Sequence, residues 1–416
     1  MTILGDILST LFERSATEYP YSQKHDGSVE KLCHALLTQQ GEVLGISIAG
    51  KILAAYDQLN DIKKVKFFQF LLIKMDIDID GVQNALTLYQ NNRSTKYLTN
   101  YLKVSETKRR ELLRRLNQGV SSTSRLVSMR KDLIRLAVEN PELKRVDLDF
   151  QQLFRSWFNN GFLVLRPISW ASPAGILEKI IAYEAVHAID SWEELRRRLE
   201  PADRRCFAFF HPAMPDEPLI FVEVALMENI PVSIQTVLAE SRDIISAQKA
   251  KTALFYPISN CQKGLSGVSF GNALIKNVVA QLSHEIPNLK TFVTISPIPK
   301  LAFWAKENGH DLSEFSNYEL LKITAKYLLE EKDKNNIVFD PVAKFHLNNG
   351  AYIHAIHTNA DNSPRGLKQS FGTMVNYVYD LTSVSQNHEQ FAINGQIVSS
   401  KAVKVLAKSK RKKERT

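Results

Sequence analysis

The chain has 416 residues, 44% of them hydrophobic and 23% charged, with 53 Lys and Arg against 44 Asp and Glu, for a net charge of +9. This composition excludes a disordered or fibrous chain and supports a sizeable core spread over two or three ordinary domains. The basic excess favours an anionic partner, whether nucleic acid, anionic lipid or a phosphate-bearing small molecule. Three cysteines, Cys33, Cys206 and Cys261, have no metal-ligand spacing and imply a reducing compartment without a disulfide framework. No apolar run is long enough to cross a bilayer. The N-terminus lacks the basic-then-apolar signal pattern and carries acids that argue against a transit peptide. The C-terminus is not a peroxisomal Ser-Lys-Leu. The protein reads as cytoplasmic and bacterial.

The first third reads as helix after helix. "GEVLGISIAGKILAAYDQLN" and "IKKVKFFQFLLIKM" carry apolar residues at three- and four-residue spacing. "DIDIDG", Asp76 to Gly81, matches the start of a calcium loop, but Thr87 stands at the twelfth position where a bidentate Glu is required. A turn between helices is the better reading. "SETKRRELLRRLNQG" opens on a serine cap at Ser105 and stops at Gly119, and its basic face reads as solvated. In "TSRLVSMRKDLIRLAVENP", Leu126, Met129, Leu133 and Leu136 form one core-facing stripe, ended by Pro141.

Near "FLVLRPISWASP" the texture changes, with Pro167 and Pro173 as punctuation. Afterwards short β-branched and aromatic runs alternate with helical patterns. "CFAFFH", "PLIFVEVAL", "TALFY" and "KTFVTIS" read as buried strands, "SWEELRRRLE" and "GNALIKNVVAQLSHEI" as helices. We expect an α+β protein with a helical-bundle domain over residues 1–165, a mixed-sheet domain over 166–400, and a basic, disordered tail over 401–416.

"FYPISNCQKGLSGVSFGNALIKNVV" begins as a buried strand, passes through three glycines and three serines, and ends in a helix stripe of Leu274, Ile275, Val278, Val279 and Leu282. The helix should start near Phe270 or Gly271. Gly264, Gly267 and Gly271 let the backbone turn and present bare N–H groups. With the positive end of the following helix, these form a phosphate site. The spacing fits neither a Walker loop nor a dinucleotide fingerprint. A strand, a glycine turn and a helix in this order resemble the pyrophosphate site of GNAT-type acyltransferases. An ordinary tight loop is the competing reading.

Four further stretches accompany this one in order: "RRCFAFFHPAMPDEPLIFVEVAL", "TISPIPKLAFW", "DPVAKFHLNNGAYIHAIHTNAD" and "SFGTMVNYVYDL". Together, and with "ISWASPAGILEKIIAYEAVHAIDSW" at the entry, they closely resemble the malonyl-CoA decarboxylase family from about Ile168 to Leu381. The resemblance implies a helical domain involved in oligomerisation and a GNAT-like catalytic domain with a mixed sheet. It implies conversion of malonyl-CoA to acetyl-CoA and carbon dioxide without metal, biotin or other cofactor. It places the CoA loop on Ser266, Gly267, Val268, Ser269, Phe270, Gly271 and Asn272, the catalytic serine on Ser296 and the catalytic histidine on His346. The implied assembly is a homodimer or homotetramer, with no membrane or nucleic-acid partner beyond nonspecific contact by the tail. Three positions depart from the family pattern: Pro257 for a serine, Lys300 for a glycine and Ser266 for a glutamine. They bear on substrate affinity and on the acyl group accepted.

The chemistry suits those residues. Loss of carbon dioxide leaves an enolate delocalised into the thioester, so the protein must orient the breaking bond, stabilise the enolate oxygen and protonate carbon. His346 is the expected proton donor, on the ground that a histidine pKa lies near working pH, and Ser296 its hydroxyl partner. Taken without the resemblance, His346 would read as a half-buried core residue and Ser296 as a turn residue before Pro297. His211, His354 and His357 take structural roles, and Cys206 and Cys261 read as inert packing. Two rival readings remain: N-acyl transfer from an acyl-CoA, and nucleic-acid binding through the tail.

Overall fold

The structure is a computed structural model that describes residues 28–408 apart from 40, 120, 185, 269, 270 and 335, and gives only the backbone of 271–273. Its contacts divide the chain into two units. The first takes residues up to Leu163 together with His211–Glu217 and Gln262–Phe270; the second takes Val164–Phe210, Pro218–Cys261 and the chain from Gly271 onward. The division therefore departs from a single cut at residue 166: two later segments, one of them the glycine-rich loop, pack with the helices.

The helical unit contains α1 (Val29–Thr38), α2 (Glu42–Asp57), α3 (Asp61–Lys74), α4 (Ile79–Asn91), α5 (Thr95–Val104), α6 (Lys108–Leu116), α7 (Ser122–Leu136) and α8 (Lys144–Trp157). The periodic stripes do what their spacing predicts: Leu126, Met129, Leu133 and Leu136 of α7 are all buried. The "DIDIDG" segment is a turn into α4, with the Asp78 side chain accepting from the Gly81 N–H. The α6 cap is a correction. Thr107, not Ser105, accepts from the Arg110 N–H, while Ser105 closes α5 and donates its hydroxyl to the Leu102 carbonyl. The basic face of α6 is not wholly solvated either. Arg109 is buried, paired with Asp149 of α8 and, at 2.9 Å, with Asp76.

The sheet unit holds β1 (Val164–Ile168), α9 (Ala174–Tyr183), α10 (Trp192–Leu199), β2 (Arg204–Phe210), β3 (Ile220–Met227), α11 (Ile234–Leu238), β4 (Thr252–Asn260) and α12 (Gly271–Glu285). It continues with β5 (Thr291–Thr294), β6 (Ser296–Pro297), α13 (Leu301–Glu307), α14 (Asn317–Glu330), α15 (Pro341–Asn348) and β7 (Tyr352–His357). α16 (Pro364–Ser370), β8 (Met374–Val378), α17 (Val384–Asn394) and α18 (Lys401–Lys408) complete it. Strand order is β1-β2-β3-β4-β5-β8-β6, with β7 also on β8. Every pairing is antiparallel except β4 with β5, which is parallel and connected through α12. This mixed sheet carries strand, glycine turn, helix and parallel strand in succession, the order expected from the sequence.

The central strands are buried throughout because both faces are covered. Along one face, Cys206, Ala208, Phe210 and Phe221 pack with Ile176, Leu177 and Ile180, and further across the same face Ala225, Leu254, Tyr256 and Val293 pack with Ile234 and Val237. The opposite face carries Phe207, Phe209, Val222 and Val224, also buried. Between Val222 and Val224 the β3–β4 register shifts, opposite Tyr256 and Pro257. A proline lacks the N–H that a ladder needs, so it is tolerated where the ladder is interrupted.

The first half of the expected tail is helical. Residues 401–408 form α18, anchored by buried Val403 and by the chain just before it, where the Ser400 N–H donates to the Ile353 carbonyl of β7. Its charge pattern hid an amphipathic turn. Residues 409–416 lie outside the described residues.

Candidate active site

Ser296 and His346 lie fifty residues apart in the chain and meet in the sheet unit. β6 pairs Ser296 with Val375 of β8. An extended chain sends alternate side chains to the same face, so Thr294 and Ser296 point the same way, and their hydroxyls lie 2.8 Å apart. His346 rides on α15, whose start is well defined. Pro341 occupies the first turn, and Asp340 caps it by accepting from the Val342 and Ala343 N–H groups. The Tyr327 hydroxyl of α14 donates to the other Asp340 oxygen at 3.1 Å.

The His346 Nε2 is 3.0 Å from Ser296 Oγ, and its Nδ1 is 2.8 Å from the Tyr379 hydroxyl. The ring lies over Tyr377, centroids 4.5 Å apart and planes 22° apart. Both members of the pair are buried, Ser296 at 5% exposure and His346 at 3%. Burial pushes the His346 pKa down to about 3 and the Tyr379 and Tyr377 hydroxyls well above their ordinary value. The imidazole of the free site is therefore neutral at neutral pH. This corrects the expectation of a histidine poised near working pH.

One direction of donation serves the whole chain of groups. Among the described residues, Nδ1 is the acceptor within reach of the Tyr379 proton, so Tyr379 donates to it. Nε2 then carries the hydrogen and donates to Ser296 Oγ, and Ser296 donates to Thr294 Oγ1. Asn376, fully buried on β8, donates to the Thr294 carbonyl at 2.9 Å and lies 2.5 Å from His357 Nε2. His357 thus braces the strand end through Asn376. His354 contacts the Tyr352 hydroxyl at 3.4 Å. His211 belongs to the helical unit, where Ala213 donates to its Nδ1 and its Nε2 lies 3.1 Å from the Trp157 carbonyl.

Sequence reasoning missed Thr294, Tyr377 and Tyr379. A signal existed: Thr-x-Ser and Tyr-x-Tyr are two-residue spacings, which on extended chain place both side chains on one face.

The glycine-rich loop belongs to the helical unit. Lys263–Leu265 form a single 3-10 turn, Ser266 Oγ donates back to the Lys263 carbonyl, and Gly267 has φ of 78°, a left-handed conformation that favours glycine. Val268 is buried. Ser269 and Phe270 lie outside the described residues. Gly271 and Asn272 open α12, the expected helix start. Loop and Ser–His pair thus fall in different units.

Among the described residues, no group of three or more His, Cys, Asp or Glu side chains is arranged to hold a metal ion. All three cysteines are buried, and burial raises the Cys206 thiol well above its usual pKa and Cys33 to about 12, unlike reactive thiols. No helix among the described residues is long and apolar enough to cross a membrane.

Family models for the malonyl-CoA decarboxylase N-terminal and C-terminal domains match residues 76–158 and residues 161–319 with 304–416, respectively. The chain belongs to the malonyl-CoA decarboxylase family. It is 44% identical to the malonyl-CoA decarboxylase of Agrobacterium vitis, with a TM-score of 0.87 covering 92% of this chain and 100% of that one. It is 41% identical to that of Rhodopseudomonas palustris, with a TM-score of 0.85 covering 91% and 98%. The mitochondrial malonyl-CoA decarboxylase of Anser anser anser is 36% identical over 329 residues, spanning 67% of this chain and 65% of the goose protein's length.

Proposed function

We propose that this member of the malonyl-CoA decarboxylase family converts malonyl-CoA to acetyl-CoA and carbon dioxide, with Ser296 and His346 as the catalytic pair. The observation that carries the reading is the 3.0 Å contact between Ser296 Oγ and His346 Nε2, inside a buried chain that continues to Tyr379. The thioester is its own electron sink, so the reaction needs no metal or organic cofactor. The protein supplies orientation, donors for the enolate oxygen and one proton.

The neutral state of His346 shapes the proton step. A substrate carboxylate held against the imidazole favours its protonated form, because an opposite charge nearby raises a histidine pKa. The site takes up that proton with the substrate. When the C–C bond breaks, the electron pair passes into the thioester enolate and carbon dioxide leaves. The enolate carbon then receives the proton from His346, and the neutral imidazole is regenerated. Ser296, held by Thr294, hydrogen-bonds the carboxylate or relays the proton, and no covalent acyl intermediate is required. Tyr379 fixes the ring tautomer from the other side.

Binding of the CoA phosphates falls to the segment of Ser266, Gly267, Val268, Ser269, Phe270, Gly271 and Asn272. The helical unit serves homo-oligomerisation, and the protein works in the cytoplasm. The test is to incubate purified protein with malonyl-CoA and a chelator and follow products by mass spectrometry. Equal release of acetyl-CoA and carbon dioxide is expected. Folded protein that binds CoA but forms no acetyl-CoA, or that consumes acetyl-CoA with an amine acceptor, would overturn the reading in favour of acyl transfer.

A further inference from the structure

Arg130 is a long cationic side chain in the middle of α7, yet it is only 1% exposed. Burying a guanidinium is costly unless its donors are used. Its Nε lies 2.7 Å from Asp147 Oδ1 and its Nη2 3.3 Å from Oδ2, across to α8. The remaining nitrogen, Nη1, donates at 2.7 Å to the backbone carbonyl of Gly264, in the turn that leads into the CoA loop. Asp147 is held in turn by the Gln151 amide at 2.6 Å.

A second observation points the same way. A Cβ on Gly264 would lie 1.9 Å from the Val127 carbonyl oxygen, also on α7. The turn therefore sits directly on the helix backbone, at a distance only glycine permits. Three residues on, a Cβ at Gly267 would meet the Gln151 oxygen at 4.0 Å. Two helices thus bracket the loop, one by close contact and a carbonyl clamp, the other alongside.

We propose that Arg130 is a positioning residue for recognition of the CoA moiety. It presses the Gly264 turn onto α7 and so fixes the direction of the Gly267 N–H, while the N–H groups of Ser266 and Val268 hold the turn itself by donating to the Lys263 and Leu265 carbonyls at 3.2 and 3.0 Å. The planar guanidinium fork is well shaped for this role. Two of its donors engage Asp147 while a third, in a fixed direction, reaches the carbonyl, which a lysine ammonium cannot reproduce. The substrate groups served are the phosphates, not the reacting acyl group. This inference rests on the proposed CoA loop.

The test compares two thioesters of the same acyl group: malonyl-CoA, and malonyl-pantetheine, which lacks the pyrophosphate and nucleotide. The readout is the ratio of their kcat/KM values. In Arg130→Lys the ratio falls by about tenfold or more, chiefly through a raised KM for malonyl-CoA, since small misplacement of binding groups has effects of that order. Gly264→Ala, which forces the turn off the helix, lowers the ratio in the same direction and carries the test if Arg130→Lys does not fold. Equal losses on both thioesters would overturn the inference, because a purely architectural arginine acts on both alike. Gly267→Val separates the two levels. If it lowers the ratio and neither other variant does, the loop assignment stands and the role of Arg130 fails. If it leaves the ratio unchanged as well, the loop assignment itself fails.

Discussion

Tyr379 donates to one nitrogen of His346 while Ser296 accepts at the other, so each ring nitrogen has one buried partner. Removing the phenol frees the tautomer. Tyr379→Phe should lower kcat by about 10- to 100-fold with little change in KM, the scale expected when a group that orients a general acid is lost. A wild-type kcat in steady-state assays would remove Tyr379 from the mechanism. The neutral imidazole gives a separate test. With its pKa held near 3 by burial, the His346 ring in free protein should show no titration between about pH 8 and pH 5. Histidine-selective NMR measures this, and a ring that titrates near the ordinary 6.5 would contradict it. The Ser/His pair was legible because it matched family motifs. Its partners were not, since Tyr379 and Thr294 reach it only through the pairing of β8 with β5 and β6.

At the level of elements, α15 exists to hold His346, and its start depends on Asp340. That carboxylate caps two N–H groups and receives the Tyr327 hydroxyl, though burial raises its pKa. Asp340→Ala should destabilise the protein by about 1–3 kcal/mol, the combined scale of a lost cap and an orphaned buried donor, and lower turnover as the helix start frays. Asp340→Asn should retain most of both. Urea unfolding checks the order, and equal stability for the two variants would contradict the capping role. Strong period signals made α7, α12 and the central strands readable. β1 was less so: three of its five residues are exposed, and it is defined by pairing with β2. α18 was masked by its lysines, and the burial of Arg109 by the forty residues that separate it from Asp149.

For the whole molecule, two buried titratable groups pull stability in opposite directions. His346 is neutral when folded, with a pKa lowered to about 3 from an ordinary 6.5. Its contribution is present above about 6.5 and is lost as pH falls toward 3. Glu223 on β3 is fully buried, with Arg198 3.6 Å away and neither carboxylate oxygen hydrogen-bonded, and burial raises its pKa to about 8. Its contribution is present below the usual carboxylate range and is lost as pH rises through about 8. Glu223→Gln should therefore flatten the fall in Tm between about pH 5 and pH 8. An unchanged slope would show that Glu223 is ionised throughout. Neither group's titration was visible in sequence, because desolvation is a property of the assembled sheet.

The most direct measurement is single-turnover formation of acetyl-CoA from malonyl-CoA by wild type, Ser296→Ala and His346→Asn, with thermal unfolding recorded on the same samples. The proton-delivery mechanism predicts folded variants slowed by about 10²–10⁴ each, the usual scale for acid–base groups. A folded His346→Asn protein that forms acetyl-CoA at the wild-type rate would contradict it.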